Sequence, residues 1–132
     1  MPVMTLAAEA KKIGYVALEG VGAEHYPAIK EMGLEISLVG SHGFQKGPLD
    51  RANHKAVEES LRKGIDLAVK FGAPSVITFT GMQTPGITEE TAFQNCVDCW
   101  KGVIPYAEQH NVQIVLEHLN SVDDSHPMKG HP

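Results

Sequence analysis

The strongest constraint on this chain is a regular alternation between helix-like and strand-like patterns along its 132 residues. Residues 5–12 are rich in Ala, Leu and Lys and read as a helix, with Gly14 as its stop. Residues 15–19 form a short strand pattern, and residues 23–32 a second helix ending at Gly33. The next strand covers 35–39, followed by a loop over 41–50 that contains Gly43, Gly47 and Pro48. A long amphipathic helix is predicted over 51–71, with Val57, Leu61, Ile65, Leu67 and Val69 supplying much of its apolar content. Gly72 ends it and Pro74 blocks its continuation. Residues 75–80 are β-rich, 81–86 form a loop, and 88–110 read as a helix that Pro105 should kink. Glu89 and Glu90 suit the first turn of that helix, Asn111 ends it, and residues 112–117 make the last strand. The tail over 120–132 has no apolar periodicity and reads as a loop.

An α-β-α-β-α-β-α-β order implies an α/β fold with a parallel sheet and right-handed crossovers. Two architectures satisfy it. One is a complete small open sheet. The other is part of a (β/α)₈ barrel, which typically needs about 250 residues and eight strands. On the second reading the domain over 1–132 is incomplete. It starts on a helix with no strand before it and stops inside a loop.

Composition narrows the functional classes. Hydrophobic residues make up 42% and charged residues 20%, which suits a globular core. The formal charge of -5 argues against a dedicated nucleic-acid binder, which needs a basic face. No apolar run is long enough to span a membrane, and the opening MPVMTLAAEAKK places its lysines after its apolar stretch, unlike a secretory signal. The expectation is a cytoplasmic protein with no membrane partner. No GxGxxG or GxxxxGKS follows any strand, which weakens a nucleotide-binding reading.

The last strand, VQIVLEHLN, carries the clearest chemical signal. Alternation sends Val112, Ile114 and Leu116 to one face, toward helices, and Gln113, Val115 and Glu117 to the other. A carboxylate at the C-terminal end of a barrel strand lies where barrel active sites are built. Glu117 is therefore a candidate catalytic residue, and Glu19 has the equivalent place on the first strand. Both could equally be solvated strand ends. Asn120, in the loop beyond, is a candidate substrate contact or a turn cap. His42, between flexible residues in SHGFQKG, could reach a substrate or stay a solvated loop histidine.

Other candidates carry less. His118, His126 and His131 cluster with Asp123 and Asp124, but without close ligand spacing. His25, His54 and His110 read as surface residues on helices or their ends. Cys96 and Cys99 form a CxxC inside a predicted helix, where no helix N-terminus activates a thiol, so with Trp100 they read as packing residues.

Taken together, GYVALEG, AEHYPAIKEMGLEISLVGSHG, NHKAVEESLRKGIDLAVKFGAPSVITFTGM and IPYAEQHNVQIVLEHLNS resemble the hydroxypyruvate isomerase-like branch of the xylose isomerase-like barrel superfamily. The resemblance implies a partial barrel of about four parallel strands, lacking the first strand and the C-terminal half. It implies a divalent metal (Mg²⁺, Mn²⁺ or Co²⁺, with Zn²⁺ admissible) held by Glu, Asp, His and Glu. The first of these matches Glu117, and the other three have no counterpart here. It further implies isomerisation of a small hydroxycarbonyl compound or sugar through an enediolate, with Glu117 also moving the proton. Relatives often carry Arg or Lys where this chain has Val122, so an anion contact there is not expected. Two alternatives stand beside it: an endonuclease IV-like metal-dependent phosphodiesterase, and a non-catalytic half-barrel whose open edges favour homo-oligomers.

Overall fold

The computed structural model describes residues 1–123 and residue 125. The chain alternates helices and strands as its patterns dictate. Helix α1 spans Val3–Ile13 and stops at Gly14, whose φ of 103° is easily reached only without a side chain. Strand β1 is Ala17–Leu18, α2 is Tyr26–Glu31, and β2 is Glu35–Ile36. Helix α3 runs His54–Phe71 and β3 Ser75–Phe79. Helices α4 (Glu89–Lys101) and α5 (Ile104–Gln109) then lead into β4, Gln113–Glu117.

Two predicted helices are divided, both at prolines. The stretch over 23–32 is a 3₁₀ turn, Ala23–His25, followed by α2, with Pro27 in the first turn of α2. The stretch over 88–110 breaks after Lys101 and resumes as α5 with Pro105 in its first turn. Proline has no N–H to donate to the residue four before it, and its ring crowds that carbonyl, so each helix begins anew around the proline. The long helix also starts later than its pattern suggests. Arg51–Asn53 form a 3₁₀ turn, capped where the Asp50 carboxylate accepts from the Ala52 amide at 3.0 Å.

The strands are parallel. β1 pairs with β2, and β3 pairs with β4 from Ser75↔Gln113 to Phe79↔Glu117. Val39, beyond β2, joins the two ladders. Its amide donates to Ser75 O at 2.9 Å, and its carbonyl accepts from the Ile77 amide at 3.0 Å. The sequential order β1-β2-β3-β4 is that of a partial (β/α)₈ barrel.

One face of this sheet is covered by the helices. Ile36, Val39 and Val76 from the strands meet Tyr26, Ile29, Leu61 and Ile65 in one buried cluster. Side chains of this size each contribute roughly 1.5–3 kcal/mol on full burial. Helix α3 supplies Val57, Leu61, Gly64, Ile65 and Ala68, spaced at the three- and four-residue steps of one helical face. Val69 lies off that face and is 51% exposed, so its apolarity is not part of the core as its sequence position suggested.

Gly64 marks the closest approach of helix and sheet. A Cβ there would stand 2.8 Å from Val76 Cγ1 and 3.3 Å from Gly40 O. Alanine would gain about 0.5–1 kcal/mol in helix formation but cost about 1–3 kcal/mol in overpacking. Gly64→Ala is expected to destabilise the fold by about 1–2 kcal/mol, read as a lower urea midpoint with an unchanged slope.

Candidate functional site

Glu117 ends β4 with its side chain on the face away from the helices. There it lines a hollow with Glu19, Val21, Leu38, Ile77 and Phe79. Ile77 and Phe79 point the same way because they are two residues apart on β3, and Phe79 is the cross-strand partner of Glu117. The intervening Thr78 points back to the helices and is buried. Ile114 packs on the helical core, and Leu116 borders a second cleft beside Phe93 and Trp100. The two faces of the last strand thus separate as its alternation implies.

The hollow has an apolar floor and an acidic rim. Phe79 is nearly buried, and Phe44 leans on it edge-on with centroids 6.2 Å apart. Glu19 and Glu117 are both exposed. Glu19 accepts a long hydrogen bond of 3.4 Å from Ser37, whose hydroxyl also reaches Leu18 O at 3.3 Å. Ser41 donates to Ile77 O at the edge of the same hollow. Among the described residues no group of three His, Cys, Asp or Glu side chains is placed to hold a metal ion. Glu19 and Glu117 both line the hollow, and their carboxylate oxygens are of the donor type that hard divalent cations prefer.

His42 sits elsewhere. Its Nε2 lies 2.9 Å from Thr78 Oγ1, and its ring meets Phe79 edge-on at 6.0 Å. The indole of Trp100 donates to the same Thr78 oxygen at 3.1 Å. His42 is outside the residues lining the hollow. Burial pushes its pKa below the ordinary histidine value, partly offset by backbone groups of Gly43 and Lys46. It therefore serves as a neutral strut between loop and strand.

The loop carrying His42 is clamped over the end of β3. The Leu49 amide donates to Thr80 O at 3.1 Å, and Gly47 lies so close that a Cβ would be 2.1 Å from that oxygen. Asn95 donates to Leu49 O at 2.7 Å and accepts from Arg51 Nε at 2.8 Å, while Arg51 also pairs with Asp98 at 2.6 Å. His54 Nε2 lies 2.9 Å from Pro48 O. His54 is thus half-buried in this clamp rather than a surface residue. His25, 3.6 Å from Glu24, and His110, stacked edge-on with Tyr106, are also half-buried.

Asn120 is used in a turn. Its Oδ1 accepts from the Asp123 amide at 2.9 Å and its Nδ2 donates to Asp123 O at 3.1 Å. His118 is exposed and borders the Trp100 cleft, on the opposite face from Glu117. Val122 is exposed. Asp124, His126 and His131 lie outside the described residues. Cys96 and Cys99 are buried, and desolvation raises their pKa values to about 11 and about 12, which keeps both as thiols. Sequence reasoning missed Thr78, Asn95 and Arg51. A threonine in an apolar strand is the one available signal, and it is ambiguous because Thr favours strands for steric reasons alone.

Residues 7–127 match the family described as xylose isomerase-like TIM barrel. No curated protein matches. Among solved structures, the chain is similar to 3-keto-D-glucoside 4-epimerase from E. coli in its apo form, at 16% identity and a TM-score of 0.69, covering 86% of this chain and 50% of that one. It is similar to a D-psicose 3-epimerase in the presence of D-fructose, at 14% identity and a TM-score of 0.68, covering 91% and 48%. It is also similar to an IOLI protein with a bound zinc atom, at 14% identity and a TM-score of 0.68, covering 90% and 48%. The chain spans about half the length of these structures.

The depressed pKa of His42 has a consequence for stability. A histidine that folds neutral contributes fully above its unfolded pKa of about 6.5 and loses that contribution as pH falls toward the lower folded value. Between pH 7.5 and 5.5 the unfolding free energy of the wild type is expected to fall more steeply than that of His42→Asn, by up to about 1.4 kcal/mol per pH unit. Parallel urea titrations at the two pH values read the difference directly.

Proposed function

Because the chain belongs to the xylose isomerase-like TIM barrel family, we propose that it forms the N-terminal part, without the first strand, of a metal-dependent isomerase or epimerase acting on a small hydroxycarbonyl compound or sugar. The observation that carries this reading is the Glu117 carboxylate at the C-terminal end of β4, facing a hollow that Glu19 shares. Relatives in the fold include sugar epimerases and a zinc-bound protein, which supports the substrate class and the metal.

In this reading Glu117 is one ligand of a divalent cation, and Glu19 is near enough to the same hollow to assist. The bound cation supplies a Lewis acid that polarises a carbonyl and stabilises the charge developing on its oxygen. Glu117 also takes a proton from the carbon beside that carbonyl and returns it to the neighbouring carbon or opposite face. The apolar floor of Ile77 and Phe79 keeps water from the back of the hollow and strengthens these charge interactions. His42 holds Phe79 and Thr78 in place, and any contact it makes with substrate is secondary to that. Asn120 shapes the loop after β4 and would meet substrate only at its rim. Within the branch, hydroxypyruvate isomerase chemistry fits the resemblance of LEHLNS and the G-A-P turn. The endonuclease IV-like alternative is less favoured, because a net charge of -5 repels a phosphate backbone.

Manganese binding to the chain extended to full length, followed by water-proton relaxation, tests the ligand; the isolated chain, with an incomplete ligand set, is expected to be inactive. Glu117→Gln should weaken binding roughly tenfold or more, since loss of even an outer-sphere partner costs ten- to a hundredfold. Equal affinity in wild type and variant would contradict the assignment. A panel of hydroxypyruvate and small ketoses then reads the substrate class.

A further inference from the structure

We propose that Thr78 is a positioning residue for the hollow: its hydroxyl donates to Nε2 of His42, holds that ring as the Nδ1–H tautomer, and makes the 41–46 loop a fixed wall. Three polar groups meet behind β3. The Trp100 indole N–H can only donate, and Thr78 Oγ1 accepts it at 3.1 Å. His42 Nε2 lies 2.9 Å from the same oxygen. Thr78 is 2% exposed, so its hydroxyl proton cannot turn to bulk water. Among the described residues, His42 Nε2 is the one acceptor within reach of that proton.

The number of unsatisfied groups sets the direction of the bond. With the ring proton on Nε2, Thr78 Oγ1 would receive two donors and its own proton would be stranded. Nδ1 would then be a buried acceptor with no partner among the described residues. Two buried groups would be left unsatisfied. With the ring proton on Nδ1, Thr78 donates to Nε2, and only the Nδ1–H lacks a partner of good geometry. Backbone groups of Gly43 and Lys46 also favour a proton on the ring. Leaving a buried polar group unpaired costs more than a hydrogen bond contributes, so the second arrangement wins.

The consequence reaches the hollow. The ring held in this way stands edge-on to Phe79 at 6.0 Å, and Phe44 meets Phe79 edge-on at 6.2 Å. Ser41 and Gly43, the neighbours of His42 in the chain, both line the hollow beside Phe79. Ser41 also donates to Ile77 O. His42 therefore ties this stretch of wall through Thr78 to β3 and through Trp100 to α4. Only the effect on substrate rests on the isomerase reading; the proton arrangement and the fixed loop do not.

Long-range proton–nitrogen correlation spectra of isotope-labelled protein, in the chain extended to full length, test the tautomer. At neutral pH His42 should be protonated at Nδ1 alone; an Nε2–H tautomer, or a mixture of the two, would overturn the proposal. Thr78→Val should abolish the single tautomer and increase backbone motion over 41–46 in nitrogen relaxation, and Thr78→Ser should restore both. A loop equally rigid in Thr78→Val would also overturn it. If Thr78→Val does not fold, the wild-type tautomer and its retention in Thr78→Ser decide. In the manganese-loaded protein, Thr78→Val should raise KM for the small ketoses by roughly three- to tenfold, the equivalent of about one buried hydrogen bond. Manganese affinity and kcat should stay near wild type, and Thr78→Ser should recover KM. A wild type inert on every hydroxycarbonyl compound would sink the isomerase reading, and the tautomer and loop motion would still decide this one.

Discussion

Everything in this structure depends on the two hydrogen bonds made by Val39. Without them the chain has two separate parallel ladders, β1-β2 and β3-β4, each too small to be stable alone. With them the strands share one sheet, one helical face and one open face. Val39 is itself buried against the helices, so the bridge is shielded from competing water. Helix α3 makes this possible by crossing close to the seam, where Gly64 leaves room for Val76 and for the carbonyl of Gly40.

The same seam divides structural work from chemistry. On the helical side, Thr78 gathers His42 and Trp100, while Asn95 and Arg51 hold the 41–50 loop over β3. Most polar groups here are satisfied by other protein groups. On the open side, Glu19 and Glu117 stay exposed above an apolar floor of Ile77 and Phe79. Fixed contacts behind and exposed carboxylates in front make a rigid support for an electrostatic site.

Much of the fold was legible from local rules. The order of elements followed from helical and strand periodicity, and Gly14, Gly33 and Gly72 marked the turns where φ is positive. The face occupied by Glu117 followed from simple alternation along VQIVLEHLN. Other features required knowledge of three-dimensional partners. Pro105 read as a kink in one long helix, yet it starts a new short helix, as Pro27 does in the stretch over 23–32. Val39 looked like the end of a strand and is the joint of the sheet. His42 looked free in a glycine-bordered loop, but Thr78, 36 positions away, holds its Nε2. Asn120 had two readings from sequence, and its hydrogen bonds with Asp123 give it the turn role in the structure.

The most direct test of a single curved parallel sheet is a through-hydrogen-bond scalar coupling experiment on isotope-labelled protein. A sheet joined at Val39 gives cross-peaks between the Val39 amide nitrogen and the Ser75 carbonyl carbon, and between the Ile77 amide nitrogen and the Val39 carbonyl carbon. Their absence, in a sample where the couplings along β3 and β4 are seen, would mean that the two ladders are separate, and Glu19 and Glu117 would no longer share one hollow.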